Sequence, residues 1–406
     1  DIFKTICSVY AAPCHMDRIE NVCRRQTTQN VYDLSQPVPC APIYENFDSV
    51  SPQPFIENIV SSLFGQPYPV LLFYPRHLSF QKSLIILTRR RKDMPKISVL
   101  TSVYNESEKE LLDCVDSILQ QTFSDFEFIL VNDNPVREEL DQMLADLSRK
   151  DRRIKVLKNP KNYGLAWSMN RAAAISRSPY LARMDADDIS EPNRLEEELK
   201  FLINNNCDLV CTRYKTINEQ GRILQKESPF YTKEQIMAFL PYRNIIHHPT
   251  VLMKKSIFHA VGGYRIYPCA QDYDLWLRFL ETGYQIEMLP QILLQYRVRK
   301  ASTTGQRRYL QALTLNYMRK LYKNWKKYGK DGYSPENYAS YLKRNGAEDP
   351  KKQAAFRKAS LYLLDSQNPI HTPVKKILLK LRVFLSSGVY RKNFIYKIQH
   401  KLSTFR

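Results

Sequence analysis

Tyr180-Leu181-Ala182-Arg183-Met184-Asp185-Ala186-Asp187-Asp188 is a short apolar strand that runs directly into three carboxylates. Upstream of it, strands and helices alternate. Residues 96–103 (KISVLTSV) form an apolar strand that ends in Tyr104-Asn105-Glu106, after which Leu111, Leu112, Val115, Ile118 and Leu119 recur at helical spacing. Residues 126–131 (FEFILV) are a second buried strand, closed by the turn Asn132-Asp133-Asn134-Pro135. A helix is expected over about 137–150, a strand over 154–157, then Asn159, Asn162 and Gly164 ahead of a helix over about 165–176. This alternation predicts an α/β fold, a Rossmann-like, mostly parallel sheet covered by helices on both faces. Such sheets bind ligands at the carboxyl ends of their strands, near the switch in strand order. Asn105, Asp133 and Asp185 all sit at such ends.

A chain of 406 residues exceeds one such domain, and 43% hydrophobic with 25% charged residues describes a globular protein. No run of about 18 apolar residues lacks a charge or proline, so no membrane-spanning helix is expected. The first residues lack a basic region followed by an apolar core, so no signal peptide is expected either. Three segments differ in texture. Residues 1–93 hold nine of the 23 prolines and read as a poorly defined appendage; residues 94–304 carry the strand–helix alternation; residues 305–406 read as a basic helical extension. From Lys300 to Arg406 there are 24 Lys and Arg against five Asp and Glu, so nearly all of the net +20 lies there. Anionic lipid headgroups and nucleic acid are the two partners such a charge suits. Lys375, Lys376, Lys380 and Arg382 interleave with apolar residues at helical spacing, and Tyr317, Tyr322 and Trp325 stand among Lys and Arg. That pattern fits a helix at headgroup level or a nucleic-acid surface. Of eight cysteines, none forms a CxxC pair; Cys207 and Cys211 read as buried thiols, and the four at 7, 14, 23 and 40 read as free thiols, with two disulfides or a zinc site as alternatives.

Asp185 and Asp187, two apart on an extended chain, point to one side and can share a hard divalent cation with phosphate oxygens. The plain alternative is an acidic surface turn before a helix that starts near Ser190 and Pro192. Gln271-Asp272-Tyr273-Asp274-Leu275-Trp276-Leu277-Arg278 puts carboxylates before an apolar helix face. Asp272 at a helix start beside a dry pocket suits a general base. It also suits an N-cap, with Asp274 and Arg278 as an i,i+4 ion pair. His247 and His248 suit either an acceptor or diphosphate contact or a structural role, and Trp167 and Trp276 suit a core or pocket wall.

In this order, the motifs of residues 94–304 resemble those of an inverting family 2 glycosyltransferase with the GT-A fold. The matching residues are Ile97–Leu100 with Tyr104-Asn105-Glu106; 128–133; Asn162, Gly164, Leu165 and Asn170; Met184 to Asp188 with Pro192 and Arg194; His248-Pro249-Thr250; Gly262-Gly263-Tyr264; and 272–278. The resemblance implies that Asp185 and Asp187 hold Mn²⁺ or Mg²⁺, and that Asp272 is the catalytic base. It further implies that Tyr104, Asn105, Glu106, Asp133, Asn162, Gly164, Asn170, Asp185, Arg194 and Arg299 serve the nucleotide. The donor would be a UDP-sugar, and the closest likeness is to bacterial enzymes extending lipid-linked O-antigen or exopolysaccharide units. The acceptor would then be a lipid-linked saccharide, with the enzyme cytoplasmic and peripheral to the inner face of the plasma membrane. A lipid-linked acceptor favours an anionic membrane, not nucleic acid, as the tail's partner. Met94-Pro95-Lys96-Ile97 looks like the usual beginning of such an enzyme, making residues 1–93 dispensable for chemistry.

Three positions depart from the family pattern. Gln271 replaces an acidic residue, which should make Asp272 more acidic. Asn132-Asp133-Asn134-Pro135 replaces Asp-Asp-Gly-Ser. Arg299 stands where relatives often carry a histidine that approaches the metal, and it suits a direct phosphate pair. The loop at 101–107 has no glycine, which excludes a sugar nucleotidyltransferase, and the absence of GxGxxG excludes a nucleotide-binding oxidoreductase. The remaining alternative is a catalytically degenerate transferase that binds membrane or nucleic acid through its tail.

Overall fold

The computed structural model describes residues 94–299 and 308–403, both within one compact unit. The expected appendage over 1–93 and its four cysteines lie outside the described residues. Among the described residues nine strands form one sheet: β1 (Ile97–Val103), β2 (Phe126–Asn132), β3 (Ile154–Lys158), β4 (Tyr180–Arg183), β5 (Ile189–Ser190), β6 (Leu209–Ile217), β7 (Ile223–Glu227), β8 (Val251–Lys254) and β9 (Ile286–Arg297). Their order is β3-β2-β1-β4-β8-β6-β9-β5, with β7 paired to β6. β1, β2, β3 and β4 are mutually parallel; β8 enters antiparallel to both β4 and β6, so β6 and β9 again run with β1. The sheet is mostly parallel, as its near-continuous apolar strands require. From β1 the chain steps to β2 and β3 on one side and to β4 on the other, which puts the switch point between β1 and β4.

Helices cover both faces. On one side lie α1 (Glu108–Leu119), α2 (Glu138–Lys150) and α4 (Arg194–Asn204), whose Val115, Ile118, Leu144 and Leu199 pack against Ile97, Val99 and Phe128. Ser107 and Glu110 close the start of α1 as a reciprocal capping box. On the other side lie α3 (Leu165–Ile175) and α7 (Gln271–Glu281), between which run the short helices α5 (Lys233–Phe239) and α6 (Lys255–Ala260). Trp276 is fully buried there, whereas Trp167 is exposed beside Tyr163.

The tail is helical: α8 (Arg308–Tyr328), α9 (Pro335–Asn345), α10 (Pro350–Asp365), α11 (Pro373–Ser386) and α12 (Gly388–Ser403). It does not stand apart. Leu313, Tyr317, Met318 and Leu321 of α8 share one buried cluster with Tyr273, Trp276 and Phe279 of α7. Arg265 pairs with Asp274 of α7 at 3.3 Å and with Asp331 of the tail at 2.6 Å. Among the described residues no helix is long and apolar enough to cross a membrane.

Because α8 completes the core of α7, Leu313→Ala should cost about 2–5 kcal/mol, as for any buried leucine. Urea unfolding should shift as one transition; two transitions with only one displaced would make the tail an independent unit.

Candidate active site

The carboxyl ends of β1, β2, β4 and β9 meet at one edge of the sheet, so Glu106, Asp133, the acidic turn 185–188 and Arg299 gather there. The turn is built from its neighbours. Met184 N–H donates to Leu100 O at 3.1 Å and Thr101 Oγ1 to Met184 O at 2.9 Å, so β1 fixes the point where the chain leaves β4. Asp188 N–H then donates to Asp185 O at 3.3 Å, folding the chain back on itself. The extended geometry expected for Asp185 and Asp187 is therefore replaced by a turn. Its effect is to add Asp188: ligand atoms of Asp185, Asp187 and Asp188 lie within 4.8 Å of one another.

Three carboxylates so close repel one another, and the protein answers with three arginines. Arg183 pairs with Asp185. Arg299 Nε lies 2.8 Å from Asp187 Oδ2, with Glu106 at 3.6 Å and Glu110 at 3.7 Å from its other nitrogens. Arg297, almost fully buried, donates its backbone N–H to Asp188 Oδ1 at 2.8 Å and its Nε to Asp187 O at 2.7 Å, and reaches Asp113 at 3.1 Å. The compensation is incomplete. Burial and then Asp185 push Asp187 up to about 7, against the pull of Arg299, and burial with its two neighbours raises Asp188 well above the carboxylate range. Asp188 Oδ2 is buried without a hydrogen-bond partner. An all-oxygen donor set with surplus negative charge and an orphaned carboxylate oxygen fits a hard divalent cation.

Asp272 lies one residue inside α7. The cap position falls on Ala270, in the left-handed region at φ 59°, so the N-cap alternative for Asp272 does not hold. A non-glycine there costs of order 1–3 kcal/mol, and it sets the angle at which the helix presents Asp272. Asn244 Nδ2 donates to Asp272 Oδ2 at 2.7 Å. Burial is the main cause that raises the Asp272 pKa, eased by the Asn244 bond, and the charge of Asp185 raises it further. Burial thus outweighs the missing neighbour at Gln271, from which a more acidic Asp272 was expected. Asp274 and Arg278 form the expected ion pair at 2.9 Å, both buried.

The other expected residues fall into two groups. Tyr104, Asn105 and Asn162 are exposed at the rim. Glu106 accepts Tyr104 N–H at 2.7 Å, and Asp133 accepts Asn159 Nδ2 at 2.7 Å and the N–H groups of Tyr163 at 3.0 Å and Gly164 at 2.8 Å. Gly164, at φ 86°, turns the chain into α3 so that its N–H meets that carboxylate. Arg194 and Asn170 find all their partners inside the protein. Arg194 is fully buried on Glu198 at 2.8 Å and Arg183 O at 2.8 Å, bracing the turn from behind, where no diphosphate reaches it. Asn170 exchanges two 2.8 Å bonds with the Tyr264 backbone, and a Cβ on Gly263 would stand 2.7 Å from its Oδ1. Both are positioning residues. His247 packs between Tyr214 and Tyr296 at 4.4 and 4.2 Å; burial lowers its pKa to about 4, so it is neutral. His248 Nε2 meets Tyr264 Oη at 2.7 Å. Sequence reasoning put Asp188 in the acidic turn without making it a ligand, and missed Asn244, Arg183 and Arg297 as parts of the site.

A glycosyl transferase family 2 pattern matches residues 98–262. Over 208 residues the chain is 36% identical to an uncharacterized glycosyltransferase of Methanocaldococcus jannaschii, covering 51% of this chain and 72% of that protein. It is 34% identical over 209 residues to an O-antigen biosynthesis glycosyltransferase of Escherichia coli, covering 51% of this chain and 81% of the other. It is also 30% identical over 220 residues to the UDP-Gal:alpha-D-GlcNAc-diphosphoundecaprenol beta-1,3-galactosyltransferase of Escherichia coli, covering 53% and 78%. With the acidic turn, the sheet that carries it and these relatives in agreement, the chain belongs to glycosyl transferase family 2.

Proposed function

We propose that this protein transfers a hexose, with inversion, from a UDP-sugar to a hydroxyl of a lipid-linked saccharide in bacterial surface polysaccharide synthesis. The observation that carries the reading is the cluster of Asp185, Asp187 and Asp188 at the carboxyl edge of the sheet, together with a half-buried Asp272 at the start of α7 whose carboxylate Asn244 holds. The chemistry follows from that arrangement. Asp272 takes the proton of the acceptor hydroxyl, whose oxygen attacks the anomeric carbon from the face opposite the diphosphate. The new glycosidic bond forms as the bond to the diphosphate breaks, and UDP leaves with the electron pair. A single displacement of this kind inverts the anomeric centre. Asp185, Asp187 and Asp188 would hold Mn²⁺ or Mg²⁺, which supplies positive charge against the departing diphosphate. Arg299, now on Asp187 and the two glutamates, supplies a second positive charge at the same edge. Tyr104, Asn105, Glu106, Asp133, Asn162 and Gly164 form the rim on which the nucleoside rests.

The lipid-linked acceptor is supported by the relative that acts on a diphosphoundecaprenol-linked sugar, and O-antigen and amylovoran biosynthesis relatives support a surface polysaccharide product. The site of action in this reading is the inner face of the plasma membrane, with residues 94–304 as the catalytic domain and 305–406 as the membrane-associating part.

Asp272→Asn should lower kcat by about 10²–10⁴-fold, the range for loss of a general base, and leave UDP binding intact. Release of UDP from UDP-sugars with Mn²⁺ should be abolished in Asp187→Ala; release that survives would sink the metal assignment. The base acts only when ionised, and its pKa is raised. The acid limb of kcat/KM should therefore lie above the ~3.9 of an ordinary aspartate, with activity lost as pH falls through it. Arg299→Ala removes a cation that competes for Asp187. It should tighten Mn²⁺ binding without nucleotide about tenfold, read by electron paramagnetic resonance titration; weaker binding would show that Arg299 does not occupy the cation's place.

A further inference from the structure

The tail carries an apolar face turned the wrong way for a protein interior. In α11, Leu379 and Val383 point into the molecule and are buried. On the opposite side, Val374, Ile377, Leu378, Leu381 and Leu385 recur at i, i+3, i+4, i+7 and i+11, one continuous helical stripe. That stripe faces outward: Val374 is 67% exposed, Leu385 71%, and Ile370, at the turn leading into the helix, 87%. Phe394 of α12 extends it through an edge contact with Phe384 at 5.6 Å and is itself half exposed. Exposed aliphatics are ordinary singly; five on one face with a neighbouring phenylalanine are a binding surface.

Lys375, Lys380 and Arg382 are exposed beside the stripe. From Ser366 to Arg406 the sequence holds nine Lys and Arg and no Asp or Glu. We propose that the outward face of α11, continued by Ile370 and Phe394, docks flat on an anionic lipid surface, its aliphatic stripe in the acyl boundary and its lysines on the headgroups. The observations select this occupant over others. A second copy would bring two strongly basic faces together, which repel. Nucleic acid would engage the lysines but gains nothing from aliphatic side chains, since its bases stack on aromatic ones. A helix lying in the plane of an acidic membrane uses both halves of the pattern. With no described helix able to span a bilayer, the contact is a surface one. The inference draws its purpose from the lipid-linked acceptor reading, but its test does not depend on turnover.

The full chain should co-sediment with vesicles of phosphatidylcholine containing roughly one third phosphatidylglycerol, bind pure phosphatidylcholine far less, and lose binding as salt rises. Leu378→Glu with Leu381→Glu should weaken vesicle binding at least about tenfold, each lost side chain being worth close to that factor. Both positions are exposed, so the thermal midpoint and UDP release from the donor should stay unchanged. Lys375→Gln with Lys380→Gln should remove the preference for the anionic vesicles. Vesicle binding that survives the glutamate pair overturns the proposal. So does a wild-type dimer that the pair dissolves, or capture of duplex DNA in place of vesicles. Loss of transfer in Asp272→Asn with vesicle binding retained would bear on the catalytic reading alone.

Discussion

Three carboxylates within 4.8 Å of one another, at the end of a buried strand, are the constraint around which this fold is arranged. Such a cluster repels itself strongly, so it persists only where surrounding groups over-determine its position. The counter-charges do not come from residues free to adjust. Arg183 is the last residue of β4 and Arg297 the last of β9, while Arg299 follows two residues beyond. β5 pairs with β9, Ile189 opposite Gln295 and Ser190 opposite Leu294, so the strand that ends in Arg297 is locked to the chain just after the turn. Behind it the buried Arg194 holds Arg183 O, and Cys114 of α1 donates its thiol to Asp185 O at 3.3 Å. Burial first, and then the mutual repulsion of the carboxylates, raise Asp187 and Asp188, and a divalent cation would relieve that repulsion.

The second carboxylate centre is organised by a different means. Asp272 gets its character mainly from desolvation and from the helix that presents it, with the charge of Asp185 a smaller contribution. Ala270 takes a left-handed conformation, α7 begins at once, and Asn244 supplies one hydrogen bond to the carboxylate. A carboxylate that is partly desolvated yet hydrogen-bonded keeps a defined orientation, as the proposed base requires. The acidic turn needs rigidity against repulsion, and the base needs a dry wall. These are separate demands, met by separate elements.

What the sequence made legible follows from this. The strands and helices up to Asp185 are read within a residue or two, because buried parallel strands leave apolar runs and the covering helices leave stripes. Asp185 and Asp187 are legible as a pair at a strand end. Asp188 is legible as part of the acidic motif but not as a third ligand, because on an extended chain the adjacent residue faces away, and only the turn through Ala186 and Asp187 brings it round. Asn244 leaves no signal, since it sits in an aperiodic loop 28 residues before its partner. Arg194 and Asn170 mislead for the same reason as each other: a motif position gives a residue's place along the chain but not the direction it faces, and both point into the protein. The likeness between an internal helix and a surface one hides the role of α8 too. Its stripe of Leu313, Tyr317 and Leu321 would read identically whether it covered a core or a membrane.

That shared core changes the meaning of the tail. α7, which carries Asp272, has one face on the sheet and another against α8, so the helix that holds the proposed base is itself braced by the tail. β9, whose end carries Arg297 and Arg299 onto the acidic turn, is followed by only ten residues before α8 begins. The two halves of the site are therefore each adjacent in sequence or in packing to the same helix. A tail that met the membrane through α11 would be joined to the cleft through a continuous apolar interior, since Tyr338, Tyr341, Phe356 and Val389 belong to the same cluster as Trp276. Burial of this extent resists hinge motion, because opening it would expose aromatic surface to water. The physical expectation is a catalytic cleft held at a fixed height and tilt above whatever surface the tail rests on, with reach toward an acceptor set by the fold and not by a flexible tether.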